Sequence, residues 1–229
     1  MPRTAARSVL IALTSHGDLG DTGRRTGAYL PEMVHPWNVF RAAGFSVDLV
    51  SVSGGRPPTD GADPNDPVQR EFLEDPEMSR KLSETLSPAE IRPADYDAIF
   101  FAGGHGTMWD FPENTKLADI SRDIYEAGGV VAAVCHGPAA LVNITLTNGR
   151  RLVDGKQVSA FTNDEEKAVG LSDVVPFLLQ SRLEDNGAKH TGTANFQPWV
   201  VADGRLITGQ NPASAVGVAQ EVVNVLAAR

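Results

Sequence analysis

The chain has 229 residues, of which 41% are hydrophobic and 21% are charged, and its net charge is −9. A chain of this length can bury a full core without disulfides or structural metals. Its acidity argues against a nucleic-acid partner or a membrane partner, because both attract basic patches. The single cysteine, Cys135, excludes an internal disulfide and a CxxC pair, and it is typical of a reducing compartment such as the cytoplasm.

Near the start of the chain, Arg3 and Arg7 precede the apolar run Val9–Leu13, which resembles a signal peptide only superficially. The run is too short for a signal sequence, and His16-Gly17-Asp18 follows it in place of a small-residue cleavage site. No apolar run approaches the roughly 18 residues that a bilayer span needs. We therefore expect a buried first strand here and a cytoplasmic protein.

Short apolar runs bounded by Gly or Asp alternate with stretches of helical period. The early runs are almost continuous in Val, Ile, Ala and Phe, which is typical of parallel strands covered on both faces. This alternation predicts a doubly wound α/β sheet, in which reactive groups collect beyond the carboxyl ends of the strands. The predicted strands are Ser8–Thr14, Ser46–Val52, Asp97–Ala102, Val130–Val134, Gln157–Phe161, Trp199–Ala202 and Arg205–Gly209.

Two predicted helices each carry an apolar stripe. Gly128 is placed to end the first helix. Asn211 is the expected N-cap of the second, with Pro212 as its first helical residue. The stripes consist of Leu117, Ile120 and Ile124 in the first helix and of Val218, Val222, Val225 and Leu226 in the second.

The segment 54–94 departs from this alternation. It holds seven of the 15 prolines and has no apolar run long enough for a strand. Phe72, Leu73, Leu82 and Leu86 are the side chains that could anchor short helices in it. We predict one domain over residues 1–229, with 54–94 as an ordered insertion packed on the sheet.

Cys135 directly follows the predicted strand Val130–Val134, and His136 and Gly137 come next. Small residues at Ala133 and Gly137 permit the sharp turn of a nucleophile elbow. A helix N-terminus aimed at the sulfur favours the thiolate, and the His136 N–H is placed to donate to an oxyanion. Simple packing is the alternative for a lone cysteine. Since packing explains neither the glycine nor the adjacent histidine, we predict a nucleophile.

A glycine-rich turn, Gly103-Gly104-His105-Gly106, follows the strand that ends at Ala102. It lacks the GxGxxG spacing and the P-loop Lys-Ser/Thr, so a nucleotide site is weakly supported. An oxyanion donor beside Cys135 fits better, with a plain tight turn as the alternative.

Three glutamates also stand out, although each has a simpler interpretation. Glu32 follows Pro31 at the start of a predicted helix, where an acid complements the helix dipole. Glu165 and Glu166 follow a predicted strand, where polar residues usually form a helix cap and a solvated first turn. The five histidines show no HExxH or similar spacing, so neither a metal nor another cofactor is predicted.

Together these segments resemble the DJ-1/PfpI superfamily and, within it, the Hsp31-like branch. The resemblance implies a flavodoxin-like α/β fold, a mostly parallel sheet with helices on both faces, usually assembled as a homodimer. The matching segments lie in order over nearly the whole chain: Thr26-Gly27 through Glu32 to His35-Pro36, 102–106, 132–138, Phe161-Thr162 to Glu166, Thr208-Gly209 and 211–215.

The resemblance also implies a Cys-His-acid site. Cys135 would be the nucleophile and His136 its partner, with Gly104 and His136 supplying N–H groups to an oxyanion. Glu166 would orient His136, although the adjacent Glu165 is an alternative. Glu32 would lie beside the thiol and transfer protons.

Members of this branch are similar to glyoxalase III enzymes, which convert methylglyoxal into D-lactate without glutathione. The resemblance therefore implies a small 2-oxoaldehyde substrate and no cofactor. Two alternatives stay open: a Cys-His-acid peptidase or amidotransferase-like hydrolase, and a stress-protective holdase or protein deglycase. The hydrolase is the weaker of these, because its chemistry does not need Glu32.

Overall fold

A computed structural model of the chain describes residues 7–228, so Arg3 of the signal-peptide argument lies outside the described residues. The central sheet has six strands in the order β3-β1-β5-β6-β10-β9. Every neighbouring pair in it is parallel except β9 with β10. The described strands are β1 (Ser8–Leu13), β2 (Ala28–Tyr29), β3 (Ser46–Ser51), β4 (Thr59–Asp60), β5 (Ala98–Phe101), β6 (Val130–Val134), β7 (Gln157–Val158), β8 (Lys189–His190), β9 (Val200–Asp203) and β10 (Leu206–Gly209).

Helices cover both faces of this sheet, which confirms the predicted flavodoxin-like α/β fold. One core lies between the sheet and α1 and α8, and the other lies between the sheet and α5, α7 and the 3-10 turn Gly137–Asn143. The described helices are α1 (Leu30–Ala42), α2 (Pro67–Glu74), α3 (Pro76–Ser83), α4 (Thr107–Asp110), α5 (Thr115–Glu126), α6 (Asn163–Ala168), α7 (Leu179–Asp185) and α8 (Ala215–Ala227). None of these helices combines the length and apolar character needed to cross a membrane.

The central strands follow from their composition. Every residue of β5 and β6 is fully buried, because both faces of these strands are covered by helices. Helix α5 buries its predicted stripe and ends at Glu126, and Gly128 follows with a φ of +97°. In α8, Val218, Val222 and Leu226 are buried as predicted.

Two predictions about the bounds of secondary-structure elements are wrong. The strand predicted at Gln157–Phe161 covers only β7 and pairs with β8 outside the central sheet. Beyond it, the N–H groups of Ser159 and Ala160 donate to the side chains of Thr208 and His190 instead of to a ladder.

The second wrong prediction concerns the start of α8. Asn211 and Pro212 take the N-cap and first positions of the 3-10 turn Pro212–Ser214, which runs directly into α8. The helix itself begins at Ala215, so Asn211 is not the N-cap of α8. The Asn211 amide instead donates to Glu165 and to the carbonyl of Gln197. The buried polar partners of Asn211, which come from distant parts of the chain, therefore override its local capping preference.

The segment 54–94 packs against α1. Phe72 of α2 is fully buried, and its ring meets Trp37 of α1 edge to face at 5.0 Å. Leu73 is 45% exposed, so the prediction that it anchors the segment is wrong. Strand β4 pairs with β2 just before α1, which brings this segment towards the carboxyl edge of the sheet.

The turn after β6 depends on small residues. Cys135 has a φ of +60°, a left-handed conformation that reverses the chain direction at the end of the strand. A Cβ on Gly137 would overlap the carbonyl oxygen of Phe101 in β5. Glycine at 137 is therefore required by close approach of two backbones.

We expect Gly137→Ala to destabilise the fold by about 3 kcal/mol, since the rigid backbone of β5 cannot move away from the added methyl group. The control is Gly44→Ala, where φ is +77° but nothing lies within 4 Å of the new Cβ. That variant should lose only about 1 kcal/mol through backbone strain. Denaturant unfolding of both variants measures the difference, and equal losses would contradict this account of the turn.

Candidate active site

The candidate site lies where β5, β6 and β10 end, side by side and in parallel. The turn after β5 supplies Gly103 and Gly104, and the turn after β6 supplies Cys135 and His136. The Cys135 N–H donates to the carbonyl of Gly209 at the end of β10, which fixes the turn against the third strand. Because the carboxyl ends of parallel strands share one edge, residues distant in sequence meet here.

His136 lies between the thiol and a carboxylate. Its Nδ1 is 3.3 Å from Cys135 Sγ, and its Nε2 is 2.7 Å from Glu166 Oε2. Although burial opposes ionisation of Glu166, hydrogen bonds from His105 and His136 lower its pKa to about 2. An ionised Glu166 can only accept, so His136 carries its proton on Nε2 and presents a free Nδ1 to the thiol.

His136 itself stays neutral. Burial and the neighbouring His105 lower its pKa to about 4, against the opposing effect of Glu166. Its ring is 1% exposed and lies 4.4 Å from the ring of Phe161. A neutral imidazole oriented in this way can take the proton from a thiol.

A second imidazole shares the same carboxylate. His105 Nε2 lies 2.9 Å from Glu166 Oε1, and the rings of His105 and His136 are 4.1 Å apart. His105, His136 and Glu166 offer three potential metal-ligand atoms within 4.8 Å of one another. Spacing along the sequence missed this cluster because the three residues come from three separate elements. Each oxygen of Glu166 already accepts an imidazole N–H, so hydrogen bonding alone accounts for the arrangement.

Glu165 does not reach His136. Its side chain completes a capping box with Thr162 at the start of α6, accepting the Thr162 N–H at 3.0 Å. Consecutive helical residues point about 100° apart, so only one of the two glutamates can face the histidine. The structure thus places Glu166 against His136 and Glu165 against the cap.

Glu32 is fully buried in the first turn of α1, although a solvated first-turn acid is the simpler expectation. Its Oε2 accepts the Gly103 N–H at 2.8 Å, whereas Oε1 has no hydrogen-bond partner of ordinary geometry among the described residues. Burial raises the pKa of Glu32 to about 8, despite the opposing effects of Cys135 and the Gly103 N–H. Glu32 therefore holds a proton at neutral pH.

The thiol does not behave as the sequence suggests. Burial raises the pKa of Cys135 well above its ordinary value, and a negative charge on Glu32 raises it further. The segment after it is a 3-10 turn, and Cys135 is only 4% exposed. The expectation that a helix N-terminus keeps the sulfur ionised is therefore wrong, because burial outweighs the dipole. The thiol loses its proton only when a base takes it.

Two backbone N–H groups, those of Gly104 and His136, belong to residues that line the cavity with Cys135. The His136 N–H lowers the pKa of Cys135, as a hydrogen bond to the sulfur does, and the Gly104 N–H has no acceptor among the described residues. Gly104 has a φ of +101°, and a Cβ there would overlap the carbonyl oxygen of Gly27. Only glycine can present its N–H at this position.

A cavity of about 240 Å³ opens onto the sulfur. Four of the residues singled out in the sequence, Glu32, Gly104, Cys135 and His136, line it, whereas Glu166 lies behind His136. Sequence reasoning gave no role to most of the remaining wall, which is formed by Tyr29, Asp60, His105, Phe161, Val169, Phe196 and Pro212. These residues follow no motif of spacing, and only the folded chain brings them together.

A cysteine on a strand-to-turn bend, backed by a histidine and an acid, defines an α/β protein with a Cys-His-acid site at the carboxyl edge of its sheet. The chain belongs to the DJ-1/PfpI family, whose model matches residues 26–225. The chain is therefore compared with other members of this family.

The chain is 36% identical to glutathione-independent glyoxalase HSP31 of Saccharomyces cerevisiae, over 97% of this chain and 99% of the relative. It is 35% identical to glyoxalase 3 of Candida albicans, over 94% and 96% of the two chains. The crystal structure of glyoxalase III from Candida albicans superposes with a TM-score of 0.89 at 32% identity, covering 96% and 97%. The X-ray structure of Rapid Encystment Protein 24 KDa from Francisella tularensis gives 0.93 at 40% identity, covering 96% and 99%.

The two adjacent glutamates should respond differently to amide substitution. Each oxygen of Glu165 accepts a backbone N–H, from Thr162 and from Phe196, and neither donor can become an acceptor. Glu165→Gln should therefore cost about 2 kcal/mol of stability. Glu166→Gln should cost clearly less, because an imidazole facing the new NH₂ group can change tautomer. Denaturant unfolding compares the two, and the reverse order would contradict these hydrogen-bond assignments.

Proposed function

We propose that the protein is a cofactor-independent glyoxalase that converts methylglyoxal and related 2-oxoaldehydes into 2-hydroxy acids, with D-lactate as the product from methylglyoxal. The relatives named as glutathione-independent glyoxalases support this proposal over nearly their whole length. The observation that carries it is the fully buried carboxyl of Glu32, which lines the same cavity as the Cys135 thiol. This burial raises the pKa of Glu32 to about 8. The homodimer and the cytoplasmic location stay predictions.

The reaction begins at Cys135. His136 Nδ1, 3.3 Å from Sγ, takes the thiol proton as the sulfur attacks the aldehyde carbon. The new carbon–sulfur bond gives a hemithioacetal, and the former carbonyl oxygen carries the negative charge. The N–H groups of Gly104 and His136 donate to that oxygen, which then receives the proton held by His136. Glu166 stabilises the transient imidazolium and keeps its Nε2–H in place.

The second stage moves a hydrogen between adjacent carbons. The aldehyde carbon of the hemithioacetal must lose its proton, and the neighbouring carbonyl carbon must gain one, through an enediol, while the proton of the hemithioacetal hydroxyl passes to the former ketone oxygen. With a pKa of about 8, Glu32 is ionised in about a tenth of the molecules at pH 7 and is basic enough to take that proton. Once protonated, it returns the proton to the second carbon. The product of this stage is a thioester of a 2-hydroxy acid.

Water completes the turnover by cleaving the thioester. His136 Nδ1 is placed to activate the water, and the same two N–H groups stabilise the second oxyanion. The 2-hydroxy acid leaves, and the thiol regains its proton. The overall reaction adds one water to the oxoaldehyde with no net change in oxidation state. It therefore needs no group beyond the residues of the chain and the water.

Glu32 distinguishes this reaction from hydrolysis of a peptide or amide. A hydrolase needs a nucleophile, a general base and oxyanion donors, and Cys135, His136 and Gly104 would supply them. A buried carboxyl with a raised pKa is costly and adds nothing to that chemistry. Proton transfer between two carbons does need such a group, so the site fits an oxoaldehyde better than an amide.

Purified protein should convert methylglyoxal into D-lactate without glutathione or added metal. Cys135→Ala should abolish turnover, because no covalent intermediate can form. Glu32→Gln should lower kcat by about 10²- to 10⁴-fold while the protein stays folded, since an amide cannot accept the carbon-bound proton. A chiral lactate assay and thermal unfolding measure the two effects.

The matched control is Glu113→Gln, an exposed glutamate that lines a different cleft and should leave turnover unchanged. Turnover that persists in Cys135→Ala would refute the covalent route. Unchanged turnover in Glu32→Gln would reduce that residue to a structural partner of Gly103.

A further inference from the structure

Phe196 has a backbone conformation that ordinary packing does not explain. Among the described residues, Cys135 and Phe196 are the non-glycine residues with positive φ, and both have a φ of 60°. A bulky side chain in the left-handed region is strained, because its Cβ crowds the following carbonyl oxygen. Strain of this kind persists where surrounding contacts enforce it, and it concentrates at functional sites. The turn after β6 requires it at Cys135, but Phe196 lies in an exposed loop.

That loop, residues 191–199, is held by a buried polar cluster. The carboxylate of Glu165 accepts the Phe196 N–H at 2.7 Å, and the amides of Gln210 and Asn211 donate to the same oxygen. Gln210 also accepts the Thr193 N–H at 2.8 Å. Although burial alone would raise the pKa of Glu165, hydrogen bonds led by that of the Thr162 N–H lower it, so its charge is retained.

This cluster lies entirely inside the protein. Glu165, Gln210 and Asn211 are each 0% exposed, whereas the loop residues from Gly192 to Trp199 are all exposed. Hydrogen bonds to a charged group are stronger than neutral ones, and those made by the Glu165 carboxylate offset the strain at Phe196. Hydrogen bonds inside the protein therefore fix the backbone of the exposed Phe196. The residue that accepts its N–H is Glu165, which is adjacent in sequence to Glu166.

The Phe196 ring borders the cavity above Cys135. It is 47% exposed, and its centroid lies 6.4 Å from that of Phe161, whose ring lies against His136. Val169 and Pro212 complete an apolar part of the cavity wall, while Tyr29, Asp60 and Glu32 make the rest polar. The cavity thus has one apolar wall, and Phe196 forms its outer part.

We propose that Phe196 is a specificity-determining residue that binds the apolar substituent of the 2-oxoaldehyde. This inference rests on the proposed function. The two carbonyl groups of the substrate are polar and are engaged at Cys135, the two N–H groups and Glu32. The substituent on the ketone carbon must then lie elsewhere in the cavity, and the wall of Phe161, Val169 and Phe196 is the part that matches it.

The test compares three aldehydes that differ only in this substituent: glyoxal, methylglyoxal and phenylglyoxal. In Phe196→Ala, KM for phenylglyoxal should rise about tenfold, KM for methylglyoxal should rise less, and KM for glyoxal should stay within about twofold of wild type. The kcat values should change little, because Phe196 touches no reacting atom. The separate variant Phe196→Leu should keep most of the wild-type affinity for phenylglyoxal.

Two further variants separate the ring from the fold. Phe196→Gly removes the backbone strain as well as the ring, and it should show the same substituent-dependent loss as Phe196→Ala. Trp199→Ala removes a neighbouring aromatic residue that is 41% exposed and does not line the cavity, and it should leave all three aldehydes unaffected. An equal loss for all three aldehydes in Phe196→Ala, or tighter binding of phenylglyoxal, would overturn the proposal.

Failure of the proposed function can be recognised independently. If the wild-type protein converts none of the three aldehydes, the proposed reaction is wrong, and alkylation of Cys135 decides the role of Phe196. Iodoacetanilide carries a phenyl group that iodoacetamide lacks. The rate of Cys135 alkylation by iodoacetanilide, divided by the rate with iodoacetamide, should fall several-fold in Phe196→Ala. An unchanged ratio would overturn the binding role.

Discussion

The site depends on two buried acids that lie side by side, the carboxyl group of Glu32 and the thiol of Cys135, both of which keep their protons at neutral pH. Glu32 is fully buried and Cys135 is only 4% exposed, so two negative charges are strongly disfavoured there at neutral pH. Burial raises both pKa values, and Glu32 keeps its proton up to a pH of about 8. The sulfur therefore becomes reactive only with the help of His136. The pKa of the Glu32 carboxyl lies close to neutral pH, where the group can both donate and accept a proton.

Much of the surrounding structure serves to hold that pair in place. A Cβ at Gly103 would overlap Glu32, so the carboxyl and the backbone can meet only because the residue is glycine. Helix α1 carries Glu32, and the segment 54–94 packs on α1 through Phe72. Behind the histidine, Glu165 and Glu166 divide two tasks between consecutive positions of α6. One secures the helix cap and the exposed loop, and the other orients His136.

The sequence predicts the parts of this site that follow local rules. Continuous apolar runs identify β1, β5 and β6, and the Cys-His-Gly segment identifies the bend after β6. Local rules fail where tertiary contacts decide, as at Asn211, whose amide is taken by Glu165, and at Leu73, which faces solvent. They also fail for charge: the ionisation of Cys135 depends on burial and on Glu32, which lies about a hundred residues earlier in the chain. The role of His105 is visible only when its ring is seen against Glu166.

The most direct test of this account is an infrared titration of Glu32. The carbonyl stretch of the protonated carboxyl, isolated as the difference between wild type and Glu32→Gln, can be followed from acidic to alkaline pH. We predict that the band persists through neutrality and disappears with a midpoint near pH 8. A midpoint near the ordinary carboxyl value of 4.5 would show that Glu32 is ionised beside the thiol, and it would contradict the central claim.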